Sequence, residues 1–358
     1  MHYFEAIRCC HANMDRNQNR NFIGARVADM SELPMVRLNS ATILIKLLDS
    51  LDLPTDEILD GVGLRRAAFL DDEIFVSALV VYQLCENAAV AAGDHTLLAS
   101  LGETVDTSSY PPVVEAHKNA QDLGQFLMRF TLEATKHSTS VTEHLDVQGD
   151  RAVFSGRRNF APAQAPAQID GFYVGLVLSI IRRAVRASWN PLEVTVTVCD
   201  PTALPPFMFG VKAIKGDWHG HRIGFPAEWL TLRFDSDDFL IQSKHEAELG
   251  FPARRATEAV EQALEPHVGV IPLTSEIAAK LCGMNQRSLG RILEKENSSL
   301  GTILTVLKKN YAEKMLSGSE HSIDEISRSL GYSNSTSFTR SFKAWVGKTP
   351  SEFRKHLS

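Results

Sequence analysis

The sequence predicts an α+β N-terminal domain followed by an all-α domain that contains two helix-turn-helix subdomains. Its 358 residues exceed one average domain, because domains commonly hold roughly 100–200 residues. In the first two thirds of the chain, segments with helical spacing of apolar residues alternate with segments of strand-like alternation. The last third is almost wholly helical in pattern and contains an internal repeat.

We expect residues 1–34 to be a poorly ordered lead-in to an N-terminal domain over 35–242. In that domain the apolar spacing predicts helices at 42–51, 73–92, 117–136 and 171–189. Alternating residues predict strands at 141–147, 152–155 and 192–198, the first two joined as a hairpin by a Gly-Asp turn. Residues 210–234 are expected to form short strands and turns. A linker is predicted at 243–253 and the helical domain at 254–358.

Composition restricts the class of protein. Apolar residues at 44% and charged residues at 22% are typical of a globular chain and exclude general disorder. The longest apolar run, residues 171–181, is shorter than the roughly 20 residues that span a bilayer, so we expect no membrane partner. The five cysteines lack the spacing of a zinc or redox pair, and the N-terminus lacks the apolar stretch of a signal peptide. We therefore expect a reduced, cytoplasmic protein.

The internal repeat is the most informative pattern. The segment EIAAKLCGMNQRSLGRIL, which starts at Glu276, aligns without a gap on EISRSLGYSNSTSFTRSF, which starts at Glu325. Each copy has a short helix, a turn that contains Gly283 or Gly331, and a longer second helix, as in a helix-turn-helix. Ser322 and Glu325 have the spacing of a capping box. The matched apolar positions are those that such a motif must bury.

The second helix of each copy has an apolar face and an opposite face of small, hydroxylated and basic residues. Such a face suits the DNA major groove, because one arginine can donate two hydrogen bonds to guanine, and hydroxyl groups can bond any base. From Arg254 onward, 15 Lys and Arg face 11 Asp and Glu, whereas the whole chain has a net charge of −6. The predicted DNA contacts are Arg287, Ser288, Gly290, Arg291, Asn334, Ser335, Thr336, Thr339, Arg340 and Lys343.

Residues 322–354, SIDEISRSLGYSNSTSFTRSFKAWVGKTPSEFR, resemble the signature of the AraC/XylS family of transcription regulators. The N-terminal region is similar to the arabinose-binding-type domain of one branch of that family, in residues 38–64 and 180–196. The resemblance implies a sensor domain, a DNA-binding domain that reads successive major grooves, and no enzymatic activity. It also implies four partners: promoter DNA, a small-molecule effector, RNA polymerase and a second copy of the chain in a homodimer.

A basic cluster at the end of one predicted helix is the candidate effector site. Arginines at positions i and i+4 of a helix can clamp a phosphate, and an aromatic ring nearby could stack on a base. Arg182 and Arg186 have this spacing, which resembles the first half of the motif by which PilZ-type domains bind cyclic di-GMP; the second half is absent. The candidate residues are Arg182, Arg183, Arg186 and Trp189. The alternative is a basic helix end favoured by the helix dipole.

The sequence leaves two other interpretations open. Asp217, His219 and His221 lie close enough in sequence to hold a metal, although residues spaced in this way more often form a polar turn. A small-molecule enzyme or metal-binding protein with a C-terminal helical interaction bundle is the alternative to a regulator. We find no nucleophile elbow, phosphate-binding glycine loop or zinc-protease pair, so no cofactor or catalytic residue is predicted.

Overall fold

The computed structural model describes residues 33–105, 110–118, 120–158, 160–234, 255–318 and 321–355. Residues 1–32 of the predicted lead-in and the predicted linker at 243–253 lie outside the described residues. Two hydrophobic cores hold the described part together. One belongs to the N-terminal α+β region, and the other is formed mainly by the C-terminal helices.

Seven α-helices are described before the C-terminal region. They are α1 (Thr42–Ser50), α2 (Thr55–Asp60), α3 (Ala78–Ala92), α4 (Leu97–Thr104), α5 (Pro111–His117), α6 (Leu123–Ala134) and α7 (Ala167–Val185). The longest, α7, is buried along most of its length, although Arg182 near its C-terminal end is exposed. It packs closely on α4, because Gly102 and Gly175 have no Cβ to keep the two backbones apart. A Cβ on Gly175 would lie 2.3 Å from the carbonyl oxygen of Ala99.

The strands form two sheets. They are β1 (Met35–Arg37), β2 (Phe75–Ser77), β3 (Val141–Gln148), β4 (Arg151–Arg158), β5 (Thr195–Val198), β6 (Ala213–Lys215) and β7 (Arg222–Pro226). The larger sheet has the order β3-β4-β7-β5-β6, in which only β5 and β6 pair in parallel. The hairpin predicted around the Gly-Asp turn is confirmed, with Gln148 paired to Arg151.

The small antiparallel sheet of β1 and β2 lies between the two cores. Because side chains alternate along a strand, neighbouring residues point to opposite faces. Met35 and Phe75 belong to the core of the C-terminal helices, whereas Val76 belongs to the N-terminal core and Val36 packs against it. The two strands therefore connect the packing of both regions.

Two helix predictions were wrong at their N-terminal ends. The predicted helix at 73–92 begins only at Ala78, because the residues before it form β2 and Ser77 accepts a hydrogen bond from the amide of Leu79 as its cap. The predicted helix at 117–136 is interrupted after His117, and α6 begins behind Asp122, whose side chain accepts from the amide of Gln125. In both places a local capping residue overrides the apolar spacing.

The C-terminal region is helical, as predicted. Its helices are α8 (Ala256–Leu264), α9 (Ser275–Leu281), α10 (Gln286–Glu294), α11 (Leu300–Gly318), α12 (Ile323–Ser329), α13 (Ser335–Val346) and α14 (Pro350–Lys355). Helices α9 and α10 form the first helix-turn-helix, and α12 and α13 form the second. The long helix α11 joins the two units.

Candidate DNA-binding surface and ligand cavity

The first helix-turn-helix is fixed by two caps and a left-handed turn. Thr274 accepts a hydrogen bond from the amide of Ile277 at the start of α9, and Asn285 accepts from the amide of Ser288 at the start of α10. Gly283 lies between the helices with a φ of +69°, a conformation that favours glycine. Leu289 and Leu293 of α10 are fully buried, and Ile292 on the same side is half-buried.

The second unit repeats this arrangement. Ser322 and Glu325 form the predicted capping box of α12, and Asn334 accepts from the amide of Ser337 to cap α13. Phe338 and Phe342 are fully buried, at the positions that leucines occupy in the first unit. Both second helices are therefore held by one kind of framework, which leaves their opposite faces outward.

The predicted basic contacts lie on those outward faces. Arg287 and Arg291 on α10, and Arg340 and Lys343 on α13, are all exposed. Within the described ranges, none of these four side chains makes a hydrogen bond or an ion pair. Four of the small predicted contacts are half-buried and the fifth is exposed; the half-buried residues are Ser288, Gly290, Ser335 and Thr339, and the exposed one is Thr336.

On the first helix of each unit, unlike on the second, the basic residue forms an ion pair. Lys280 on α9 lies 3.2 Å from Glu276, and Arg328 on α12 lies 3.1 Å from Asp324. These cations are neutralised by neighbours on their own helices, whereas the cations of the second helices are not. Among the four described helices of the two helix-turn-helix units, the cations without an ion pair therefore lie on α10 and α13, where a polyanion can neutralise them.

Asn334 has a local role that the sequence prediction did not include. Its Oδ1 caps α13 at 2.8 Å from the amide of Ser337, and its Nδ2 donates to Ser333 Oγ at 3.3 Å. A base contact by Asn334 would have to use the amide group while its oxygen keeps the cap. The equivalent position in the first unit, Asn285, caps α10 in the same way.

The predicted effector arginines surround the C-terminal end of α7. Arg182 stacks over the ring of Phe209 at 4.7 Å, and both line a shallow depression together with Arg183 and Glu103. The helix ends at Val185, and Arg186 has a φ of +52°, outside helical geometry. The helix prediction to residue 189 was therefore wrong, and Arg182 and Arg186 do not share one continuous helical face.

Trp189 is engaged in packing. Its indole N–H donates to the carbonyl oxygen of Phe209 at 3.1 Å, and its ring lies 5.8 Å from that of Trp229. Stacking of Trp189 on a bound base would require this packing to open.

Arg158 does not join the cluster. It forms a buried ion pair with Asp170, and each side chain is only 1% exposed. Asp170 lies in the first turn of α7 and Arg182 in its last, a separation of about 18 Å along the helix at 1.5 Å per residue. Arg158 and Arg182 therefore lie near opposite ends of α7.

A cavity in the N-terminal core was not predicted from the sequence. It encloses about 80 Å³ and is lined by residues of β1, α1, α3, α4 and α7 and by the segment before β3. Most of its lining is apolar, and hydroxyl groups of serines and tyrosines supply most of the polar atoms. The residues come from positions 36 to 173, so no local motif could have indicated it.

Of Asp217, His219 and His221, only the first two lie together in the structure. His219 Nδ1 lies 2.9 Å from Asp217 Oδ2 in an exposed turn. His221 is buried, with Nε2 3.3 Å from Glu143 Oε2. Among the described residues, no group of three or more metal-ligating side chains is arranged to hold an ion.

Comparison with known families identifies the chain. The arabinose-binding domain model of AraC transcription regulators matches residues 53–234, which is half of the sequence, and a helix-turn-helix domain model matches residues 278–356. The chain belongs to the AraC family of transcription regulators. The family-matched C-terminal segment contains every predicted DNA contact, and the N-terminal segment contains the arginine cluster.

Curated relatives match this AraC-family protein over part of its length. It is 37% identical over 76 residues to the HTH-type transcriptional regulator VqsM of Pseudomonas aeruginosa, which covers 21% of this chain and 23% of that protein. It is 31% identical over 99 residues to the Msm operon regulatory protein of Streptococcus mutans, 27% of this chain and 35% of that protein. The chain thus spans about a quarter to a third of the length of these relatives.

Solved structures are also similar to parts of this AraC-family protein. The transcriptional regulator CdpR from Pseudomonas aeruginosa is 16% identical with a TM-score of 0.32, over 73% of this chain and 87% of that chain. The DNA-binding domain of AdpA in complex with a target DNA is 19% identical with a TM-score of 0.26, over 28% of this chain and 92% of that chain.

No helix of the described ranges is long and apolar enough to cross a membrane.

Proposed function

We propose that this protein is a sequence-specific DNA-binding transcription regulator that responds to a small molecule bound in its N-terminal domain. One observation carries the DNA-binding part of the proposal. Two second helices, α10 and α13, are held by the same buried framework and expose arginines that have no protein partner in the described ranges. Exposed arginines of this kind can bond guanine edges in the major groove, and each such pair contributes about 1–3 kcal/mol of base discrimination.

A mobility-shift titration on promoter DNA tests this proposal. We expect the wild-type chain to prefer one sequence over scrambled DNA, with affinity that falls steeply as salt rises. The double variant R287A/R340A should lose that preference while its circular dichroism spectrum stays that of the wild type. Salt-independent or sequence-independent binding would favour the rival reading, in which the C-terminal helices are only an interaction bundle.

Contacts between the two regions supply a route for control. Gly63 and Leu79 of the N-terminal region meet His267 and Gly283 of the C-terminal region. An effector can shift such an arrangement only by binding one state more tightly than the other. We therefore propose a two-state equilibrium in which these contacts differ between the states.

Cyclic di-GMP at the arginine cluster remains a second proposal. Arg182 and Arg183 offer positive charge, and Phe209 offers a ring, but Glu103 lines the same depression and opposes an anion. Calorimetry with cyclic di-GMP on the wild type and on R182A/R186A tests it. Binding in the wild type that disappears in the double variant would support the arginine site, and unchanged binding would exclude it.

The homodimer and the contact with RNA polymerase also remain predictions. Light scattering after size exclusion gives the mass in solution, for which we expect twice 39.6 kDa. Transcription in vitro from the bound promoter, with and without the protein, tests whether polymerase responds.

A further inference from the structure

The N-terminal core contains a cavity that is shaped for a small molecule and is not part of the predicted arginine site. Val36 of β1, Leu44 of α1, Tyr82 of α3 and Tyr173 of α7 contribute to its wall. Since each water-sized group needs roughly 10–15 Å³ of cavity, the 80 Å³ hold on the order of six such groups. That corresponds to a compact molecule such as a simple phenol.

The polar atoms of the wall are neutral. Tyr82 donates to Ser140 Oγ at 3.3 Å, and the hydroxyl oxygens of Tyr110 and Tyr173 lie 3.5 Å apart. His137 also lines the cavity, and burial lowers the pKa of its imidazole to about 4, so it is uncharged at neutral pH. No Asp, Glu, Lys or Arg belongs to the described lining.

This lining selects against ions and against highly hydroxylated molecules. A charged ligand would lose its hydration without meeting an opposite charge, which costs far more than the burial of a neutral group. A sugar would bring more hydroxyl groups than this wall can bond, because the polar groups of the wall already bond one another, as Tyr82 does with Ser140 and Ser40 with His137. A mainly apolar molecule with one hydroxyl or carbonyl group can bury its carbon surface and bond a tyrosine or serine.

The cavity also adjoins the contact with the DNA-binding region. Helix α3 lines the cavity with Val81, Tyr82 and Cys85, and Leu79 of its first turn lies against Gly283 in the first helix-turn-helix. On β1, Val36 faces the cavity and its neighbour Met35 packs in the C-terminal core. A molecule that pushes on this wall therefore acts on elements that carry the domain contact.

We propose that this cavity is the effector site and that its ligand is a small, uncharged, mainly apolar molecule with one or two hydrogen-bonding groups. The role of this ligand as an effector rests on the proposed function, but binding in the cavity can be tested separately. The arginine cluster at the end of α7 is then not required for the ligand.

Phenol serves as the probe, with benzoate as its charged counterpart and L-arabinose as a polar uncharged one. Ligand-observed NMR and thermal shift are measured on the full chain at millimolar probe concentration. We expect phenol to bind and to raise the melting temperature. We expect benzoate and arabinose to bind at least tenfold more weakly. Absence of phenol binding, or equal binding of benzoate, overturns the proposal.

Two cavity-filling variants locate the site. A41L and C85M add volume at two positions of the wall, and each should weaken phenol binding at least tenfold. The control A187L adds the leucine side chain of A41L at an exposed position, and R182A/R186A removes two of the three arginines of the cluster. Both controls should bind phenol as the wild type does. If A41L or C85M folds and still binds phenol as the wild type does, the proposed location of the site is wrong.

DNA binding of the same proteins separates the two proposals. Normal DNA binding without phenol binding refutes the cavity as an uncharged-ligand site and leaves the regulator intact. Phenol binding without sequence-specific DNA binding refutes the regulator and leaves the site intact.

Discussion

His267 of the segment after α8 donates from Nδ1 to the carbonyl oxygen of Gly63, at 2.7 Å and fully buried. The carbonyl can only accept, so the ring nitrogen must carry the proton. This bond joins residues 204 positions apart and links the N-terminal region to the start of the DNA-binding region. Gly63 has a φ of +71°, and a Cβ there would lie 2.8 Å from Ile271 Cδ1.

The buried histidine predicts a dependence of stability on pH. Burial lowers the pKa of His267 to about 4, against an ordinary value of 6.5. The unfolded chain therefore takes up a proton near pH 6.5, whereas the folded chain resists it until about pH 4. The contribution of His267 to the free energy of unfolding is fully present above pH 7. It decreases as the pH falls through this window, by about 1 kcal/mol between pH 7.5 and 5.5.

Urea denaturation at several pH values measures this effect. The variant H267N should be less stable at pH 7.5 but lose about 1 kcal/mol less than the wild type on going to pH 5.5. His137, whose pKa is also lowered to about 4, should contribute similarly in H137N. If the free energy of unfolding depends on pH in the same way in the wild type and both variants, the two histidines are not the source of the pH dependence.

The contact of Leu79 with Gly283 gives a second prediction. G283A forces a side chain into a left-handed conformation and places its Cβ 2.2 Å from Leu79 Cδ1. G347A has the same backbone strain at a φ of +82°, with no atom within 4 Å of the added Cβ. We expect a loss of about 1 kcal/mol for G347A and about 2 kcal/mol for G283A, measured by equilibrium unfolding.

Removal of the Leu79 side chain should abolish the difference in stability loss between G283A and G347A. In an L79A background the cost of G283A should approach that of G347A, because only the backbone strain remains. L79A should also bind phenol within twofold of the wild type while phenol no longer alters DNA affinity. Full retention of that response in L79A would show that the domain contact does not transmit it.

Base reading is the third prediction. R340A should weaken binding to the preferred DNA by about 1–3 kcal/mol and relax preference at one position of the site. R328A is the matched control, because Arg328 pairs with Asp324 on the first helix of the same unit. Selection of binding sites from random DNA compares the two variants. An unfolded R340A, seen by circular dichroism, would instead make Arg340 a structural residue.

The buried ion pair of Arg158 and Asp170 gives the fourth prediction. D170N leaves the guanidinium buried without an opposite charge, so we expect a loss of about 3–5 kcal/mol in unfolding free energy. D217N breaks the exposed contact with His219 and should cost less than about 1 kcal/mol. Similar losses in the two variants would mean that the buried pair is not specially sensitive to removal of one charge.

Much of the C-terminal region was predictable because its signals are local. Helix caps such as Ser322 and Glu325, a turn glycine such as Gly283, and the apolar spacing around Phe338 act within one or two helical turns. The same short-range pattern occurs twice, which is why the repeat was visible in the sequence. The outward position of Arg340 follows from the burial of Phe338 and Phe342 on the opposite face.

The sequence by itself thus determined the tandem helix-turn-helix framework and the face that carries its arginines. Only the tertiary structure decided the cavity, the burial of Arg158 against Asp170, and the contact of His267 with Gly63. The physical reason is range: these features join residues from distant parts of the chain, and their partners are chosen by the packing of helices on a sheet. Periodicity and caps report only a residue's own neighbourhood, so they cannot specify such partners.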